Sequence, residues 1–351
     1  MKQTPVFFDE IFNRFNQLLK EKNYSSLFIL VDENTHDHCL PILLSEIEES
    51  IPIEIIEIPA GEENKVIEIA VQVWESMAEL NASRKSLMIN LGGGMVTDIG
   101  GFIASTYKRG IDFVNFPTSL LSMVDASVGG KNGIDLNGIK NVVGTFSMPV
   151  TTFVFPDFLE TLPQPEFKSG LAEMFKHGLI YDRQHWENLI VLENFTPASI
   201  GHLIEESVLI KKEVVEKDPF ESGLRKILNF GHTVGHAVES EFLKTENPLL
   251  HGEAVAIGML VEAILSFENE LISKDELDEI FDHLIRIFDK IEIPEELIPN
   301  LLHWMKFDKK NQNGQISFSL IDGIGNCQYD ILLSENQISE GILRYNKKLT
   351  T

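Results

Sequence analysis

Between residues 27 and 156 short β-branched and aromatic runs alternate with stretches of helical spacing, and that alternation leaves few folds open. SLFILVDENT reads as a strand running into a polar loop, and IPIEIIEIPAGEENK as a second strand ending in a turn; helical spacing follows over 64–81. SLMINLGGG is a strand that delivers three glycines at its carboxyl end, after which VTDIGGFIASTYKRG has helical periodicity. IDFVNFPTSLLSMVD and TTFVFPDFLETLP add two more short runs, each ended by proline. Strand and helix in turn predict a mostly parallel sheet with covering helices, an α/β N-terminal domain over 1–160.

Beyond Thr161 the texture changes. Helical patterns dominate 166–217, 229–243, 251–271 and 274–290, with GQISFSLIDGIG as a short extended exception and YNKKLTT as an expected frayed tail. A mainly α-helical domain over 161–351 is expected, with the boundary in the proline-punctuated stretch Pro149 to Pro165. A chain of 351 residues fits two cores better than one. Its formal charge of -25 argues against nucleic acid as a partner, so an anionic substrate needs a local cationic pocket. Cys39 and Cys327 form no framework, the N-terminus does not have the pattern of a signal segment, and no run of membrane-spanning length is free of charge; a cytoplasmic protein without a membrane partner is expected.

Gly92, Gly93 and Gly94 bring backbone amides to a strand-to-helix junction, with Asp98 four residues on. The spacing is neither the GxGxxG of a dinucleotide fold nor GxxxxGK, so a pyrophosphate-binding turn and a plain tight turn both stay open. From Asp125 to Asn141 the chain reads DASVGGKNGIDLNGIKN, a polar segment with little secondary-structure tendency. Its Lys131 and Lys140 offer point charges for phosphate or carboxylate, and Asn141 a hydrogen bond to a hydroxyl. A solvated surface loop is the bland alternative.

The densest chemistry lies in NFGHTVGHAVES followed by LLHGEAVAIGM. His232 and His236 are four apart, so a helix puts both imidazoles on one face, and His251 opens the next helical pattern. HTVGH has no Glu at its second position, which excludes the HExxH metalloprotease motif. Three histidines suit a metal site, and Glu173 in GLAEMFKHG adds a carboxylate from an earlier helix, one turn before Lys176. Spacing does not say which three donors bind. An ordinary surface pair is the alternative for Glu173 and Lys176, and core hydrogen bonding for the histidines.

Taken together, GEENK, GGGMVTDIGGFIASTYKRG, PTSLLSMVDASVGGKNGIDLNGIKNVVGTF, ESGLRKILNFGHTVGHAVE, HGEAVAIGM and DKKNQNGQISFSLIDGIG resemble, in order, the 3-dehydroquinate synthase family of sugar phosphate cyclases. The resemblance implies a nucleotide-binding sheet, NAD and zinc or cobalt as cofactors, and the shikimate-pathway conversion of 3-deoxy-D-arabino-heptulosonate 7-phosphate to 3-dehydroquinate and phosphate. It implies metal ligands at Glu173, His232 and His251. NAD contacts fall on Asp32, Asn34, Glu62, Lys65, Gly92, Gly93, Gly94, Asp98, Thr118 and Thr161, with Lys131 and Lys140 near both cofactor and substrate. The substrate and catalytic set is Asp125, Lys131, Lys140, Asn141, Lys176, Lys211, Arg225, Asn229 and His236. Arg109 matches an arginine supplied by a partner subunit, which implies a homodimer, and DKK matches Lys309 and Lys310. One departure is visible: the acidic run before GLR reads Asp218, Pro219, Phe220, Glu221, where Asp218 and Glu221 are kept. Cyclases making deoxy-inosose or valiolone precursors, and metal-dependent polyol dehydrogenases, are the rival enzyme readings, and a non-enzymatic structural or interaction protein is the bland one.

Overall fold

Every residue of Ser86–Gly92 is buried, a burden only a strand in the middle of a covered parallel sheet carries. The computed structural model describes residues 4–126, 128–137, 139–243, 245–308 and 315–350. It divides into two compact units, Met1–Pro163 and Gln164–Thr351.

The first unit is built on six parallel strands: β1 (Val6–Phe7), β2 (Ser26–Asp32), β3 (Ile53–Ile58), β4 (Ser86–Gly92), β5 (Asp112–Pro117) and β8 (Thr151–Phe153), in the order β1-β8-β5-β4-β2-β3. All pairs are parallel, as the strand-helix alternation predicts. From β2 the chain goes to β3 on one side and then to β4 on the other. The crevice outside the carboxyl ends of β2 and β4 is therefore the topological switch point, where open α/β sheets bind ligands. The segment expected to have little regular structure is instead an antiparallel hairpin of β6 (Lys131–Leu136) and β7 (Ile139–Phe146). Alternation of side chains within a polar, glycine-containing sequence is weak, so pairing decided what periodicity did not show.

The second unit surrounds the helix His251–Glu268, buried at every position from Ala254 to Ser266 and so packed on all sides. Helices Gln164–Tyr181, His232–Phe242, Lys274–Ile287 and Glu335–Leu349 pack against it. Local signals set several starts: Thr196, Ser273 and Ser334 each form a capping box with the residue three positions on. The extended exception pairs as a second antiparallel hairpin, β9 (Ile316–Ile321) with β10 (Cys327–Leu333). The expected frayed tail is a correction, because Glu335–Leu349 is helical to its end. Buried Tyr345 donates to the Ile291 carbonyl at 2.7 Å, and the Asn346 side chain accepts from Ile293 N–H at 3.0 Å. Among the described residues no helix is long and apolar enough to cross a membrane.

Candidate active site

His251 is the first residue of the central helix, and the next amide, Gly252 N–H, donates to Ser169 Oγ at 2.9 Å. That bond seats the start of His251–Glu268 one turn before Glu173 on Gln164–Tyr181. Glu173 Oε1 then lies 3.4 Å from His232 Nε2 and 3.9 Å from His251 Nε2. Glu173 is 0% exposed, and its Oε1 makes no hydrogen bond among the described residues. A buried carboxylate oxygen left in that state calls for a cation. Donors bound tetrahedrally at zinc distances are about 3.3 Å apart, close to the spacing found. His232 Nδ1 is 3.1 Å from the Phe230 carbonyl and His251 Nδ1 3.3 Å from Glu239 Oε2, acceptors that favour the tautomer able to ligate a metal through Nε2. Burial, then Lys176, His236 and His251, hold the His232 imidazole well below its ordinary pKa, so it is neutral and able to ligate. His236 stands beside them: its ring centroid is 5.0 Å from that of His232 and 5.8 Å from that of His251, and ring nitrogens of the three histidines lie within 4.8 Å of one another.

Among the described residues, three lysine or arginine side chains of the same unit are buried: Lys176 at 1% exposed, Arg225 at 3%, and Lys211. Cations are almost never placed so without a task. Lys176 Nζ pairs with Glu173 Oε2, and this is a buried pair rather than the solvated one that i,i+3 spacing allows. Arg225 is set by its loop. The Asp218 carboxylate accepts from the backbone N–H of Ser222 (3.0 Å), Gly223 (2.6 Å) and Arg225 (3.1 Å) and from Ser222 Oγ (3.1 Å), while an Arg225 guanidinium N–H donates to the Pro219 carbonyl at 2.8 Å. Burial pushes the Asp218 carboxyl up, and these donors outweigh it and hold it at about 2. Asn229 donates to Glu221 Oε1 at 2.9 Å. The departure at 219–220 is therefore mild: Pro219 contributes a carbonyl, which any residue has, and Phe220 is 65% exposed.

In the first unit the switch point carries Asp32 at the end of β2 and the glycines at the end of β4. Asp32 Oδ1 accepts from Thr35 N–H at 2.8 Å, capping the short helix on which Asn34 stands exposed. The 13-residue helix Gly94–Thr106 starts at the glycines with no side-chain cap, so its N-terminus could accept an anion. A Cβ on Gly92 would lie 2.5 Å from Val96 Cβ, whereas one on Gly93 would meet nothing nearer than Ser119 Oγ at 3.5 Å. Packing thus demands glycine at 92 but leaves the space above 93 for a close-approaching ligand. Beside it, buried Lys65 Nζ lies 2.5 Å from Glu62, 3.4 Å from Asp98 and 3.8 Å from Asp135. Burial would lower the Lys65 pKa, and Asp98, Glu62 and Asp135 together outweigh it and raise it. Burial pushes Asp98 up to about 7 against Lys65. Thr118 is buried, its N–H donating to the Gly92 carbonyl at 3.0 Å.

The hairpin presents Lys131, Lys140 and Asn141 at the surface, and Asn141 N–H donates to Asp135 Oδ1 at 2.7 Å, tying this segment to the Lys65 cluster. Asp125 stands half-buried on a π-helical turn over Ser122–Ala126. Thr161 is exposed on the turn Pro156–Thr161. Arg109 is exposed in a left-handed turn after the far end of Gly94–Thr106, about 20 Å from the glycines by the rise of that helix. Lys309 and Lys310 lie outside the described residues. Glu239, Glu262 and Asp135 are not among the site residues expected from the sequence. Glu239 and Asp135 lie inside quoted motifs and Glu262 beyond them, but spacing assigns none of the three a role; only its position opposite a remote partner does.

The family models for the 3-dehydroquinate synthase N-terminal and C-terminal regions match residues 55–169 and 170–311. The chain is 38% identical over 349 residues to the 3-dehydroquinate synthase of Parabacteroides distasonis, covering 99% of this chain and 98% of the relative. It is 36% identical over 342 residues to that of Streptococcus pyogenes serotype M18, covering 95% and 94%. Among solved structures, ValA, the 2-epi-5-epi-valiolone synthase from Streptomyces hygroscopicus subsp. jinggangensis 5008 with NAD+ and Zn2+ bound, superposes with a TM-score of 0.84 at 26% identity, covering 99% of this chain and 97% of that one. The 2-deoxy-scyllo-inosose synthase complexed with carbaglucose-6-phosphate, NAD+ and Co2+ shares the fold, at a TM-score of 0.82 and 21% identity over 97% and 96% of the chains. With both family models matched in order and the relatives aligned nearly end to end, the chain belongs to the 3-dehydroquinate synthase family.

Proposed function

We propose that the protein is an NAD- and divalent-metal-dependent 3-dehydroquinate synthase, converting 3-deoxy-D-arabino-heptulosonate 7-phosphate to 3-dehydroquinate and inorganic phosphate. The observation that carries this reading is the meeting of Glu173, His232 and His251 beside the buried ion-paired Lys176. Glu173, His232 and His251 hold the metal; the amides at Gly92–Gly94 with Asp32, Asn34, Glu62, Lys65, Asp98, Thr118 and Thr161 hold NAD. When bound, NAD supplies reversible hydride acceptance and the metal supplies positive charge at a substrate oxygen.

The chain's own groups do the rest. Lys131, Lys140, Lys176, Lys211 and Arg225 bind the phosphate and carboxylate of the substrate, local cations within a chain of charge -25. Asp125, Asn141, Asn229 and His236 hold its hydroxyls by hydrogen bonds. A reaction of oxidation, phosphate elimination, reduction and aldol closure needs one intermediate kept in place throughout, and many fixed contacts serve that better than one strong base. Arg109 acts on the site of a second copy in a homodimer, a reading supported by its distance from its own glycine turn. Two cysteines, both free, accord with a cytoplasmic setting.

Purified protein with NAD, Zn2+ and the heptulosonate 7-phosphate should release one phosphate per 3-dehydroquinate and accumulate no NADH. Absence of both products, or NADH formed in proportion to substrate, overturns the proposal in favour of another cyclase or a polyol dehydrogenase.

A further inference from the structure

The two helices that carry the histidines each reach the other's first turn. Glu262, on His251–Glu268 and fully buried, accepts from Gly231 N–H at 2.6 Å and Val234 N–H at 3.0 Å. Its carboxylate thus spans the start of the helix His232–Phe242, whose own N-cap is Gly231, with no side chain to do so. In the other direction Glu239, buried on His232–Phe242, stands 3.3 Å from Nδ1 of His251, the first residue of its partner helix. Burying two carboxylates is costly, and each here faces the first turn of the opposite helix.

We propose that Glu239 and Glu262 are reciprocal positioning residues, each fixing from one helix the histidine presented by the other, so that both Nε2 atoms face Glu173 Oε1 before a metal arrives. Glu262 acts on rotation: two bonds to one turn hold the helix about its axis, where a slip of about 10° would carry an imidazole at its rim by about 1 Å. Glu239 acts on the ring, because an acceptor at Nδ1 selects the tautomer with a free Nε2. The inference rests on the metal reading above.

The test uses the full-length protein freed of metal, titrated with Zn2+ against a chromogenic chelator and with Co2+ for its visible spectrum. Glu239→Ala should weaken zinc binding by about 10–100-fold and shift the cobalt bands, while Glu239→Gln, which keeps an acceptor, recovers part of the loss. Glu262→Gln should weaken zinc by a similar factor. The metal-free Glu239 variants should melt close to the parent, a result that separates positioning from support of the fold. Zinc affinity within twofold of the parent and unchanged cobalt spectra in the Glu239 variants overturn the proposal, even where Glu262→Gln fails to fold. A Glu173→Ala protein that keeps the parent's zinc affinity overturns instead the ligand assignment beneath it, and does so in a separate arm.

Discussion

Gly258→Ala places a methyl group where the two histidine-bearing helices cross. A Cβ at that position would lie 1.9 Å from the Gly231 carbonyl oxygen and 2.8 Å from Gly235 N, all backbone atoms with no side chain free to turn away. Ordinary contact begins near 3.4 Å, so the helices must separate by about 1.5 Å. Alanine improves helix propensity by about 1 kcal/mol, but overpacking against rigid backbone costs about 3 kcal/mol or more, and the net effect is destabilising. The same separation opens the 3.4 Å approach of His232 Nε2 to Glu173 Oε1, so zinc affinity should fall at least about tenfold. Urea unfolding of metal-free protein measures the first effect and chelator competition the second. Gly201→Ala is the control: on the helix Pro197–Lys217 its Cβ would meet nothing within 4 Å, and the substitution should stabilise by roughly 0.5–1 kcal/mol. A Gly258→Ala protein as stable as Gly201→Ala, with the parent's zinc affinity, would refute the close crossing and the geometry of the site with it.

Two further substitutions probe the glycine turn and the Arg225 loop. Gly93→Ala should fold as the parent does, since its backbone has φ −69 and its Cβ meets only ordinary contacts, yet it should bind NAD at least tenfold more weakly by calorimetry; unchanged NAD affinity would show that the turn does not hold the cofactor. Asp218, held at about 2 against an ordinary 3.8, stabilises the fold fully above pH 3.8 and loses that contribution as pH falls toward 2. The melting temperature of Asp218→Asn should therefore lie below the parent's at pH 6 and converge with it in acid, whereas a gap independent of pH would show that the charge is not what the loop uses.

Much of this protein was legible in its sequence because the relevant signals are local. The strand-helix alternation, the strand ending in Gly92–Gly94 and the i,i+4 pair His232 and His236 follow from the two-residue pleat and the 3.6-residue turn, which act over a few positions. Where local preference was weak, legibility failed: the hairpin of Lys131–Leu136 with Ile139–Phe146 has little pattern of its own, and the C-terminal helix is held by Tyr345 and Asn346 bonding to backbone some 50 residues away.

The sequence by itself determined that a parallel sheet delivers glycines to a helix, and that three histidines crowd the second half of the chain. Only the tertiary structure decided which groups meet. Glu173 lies 59 residues before His232, and no periodicity relates them; they face each other because both their helices pack on His251–Glu268, one through the Ser169–Gly252 bond and the other where Gly231 meets Gly258 and Glu262. Glu239 and Glu262 look like ordinary helix acids for the same reason. Their task comes from a crossing of helices, a property of packing and not of any stretch of residues.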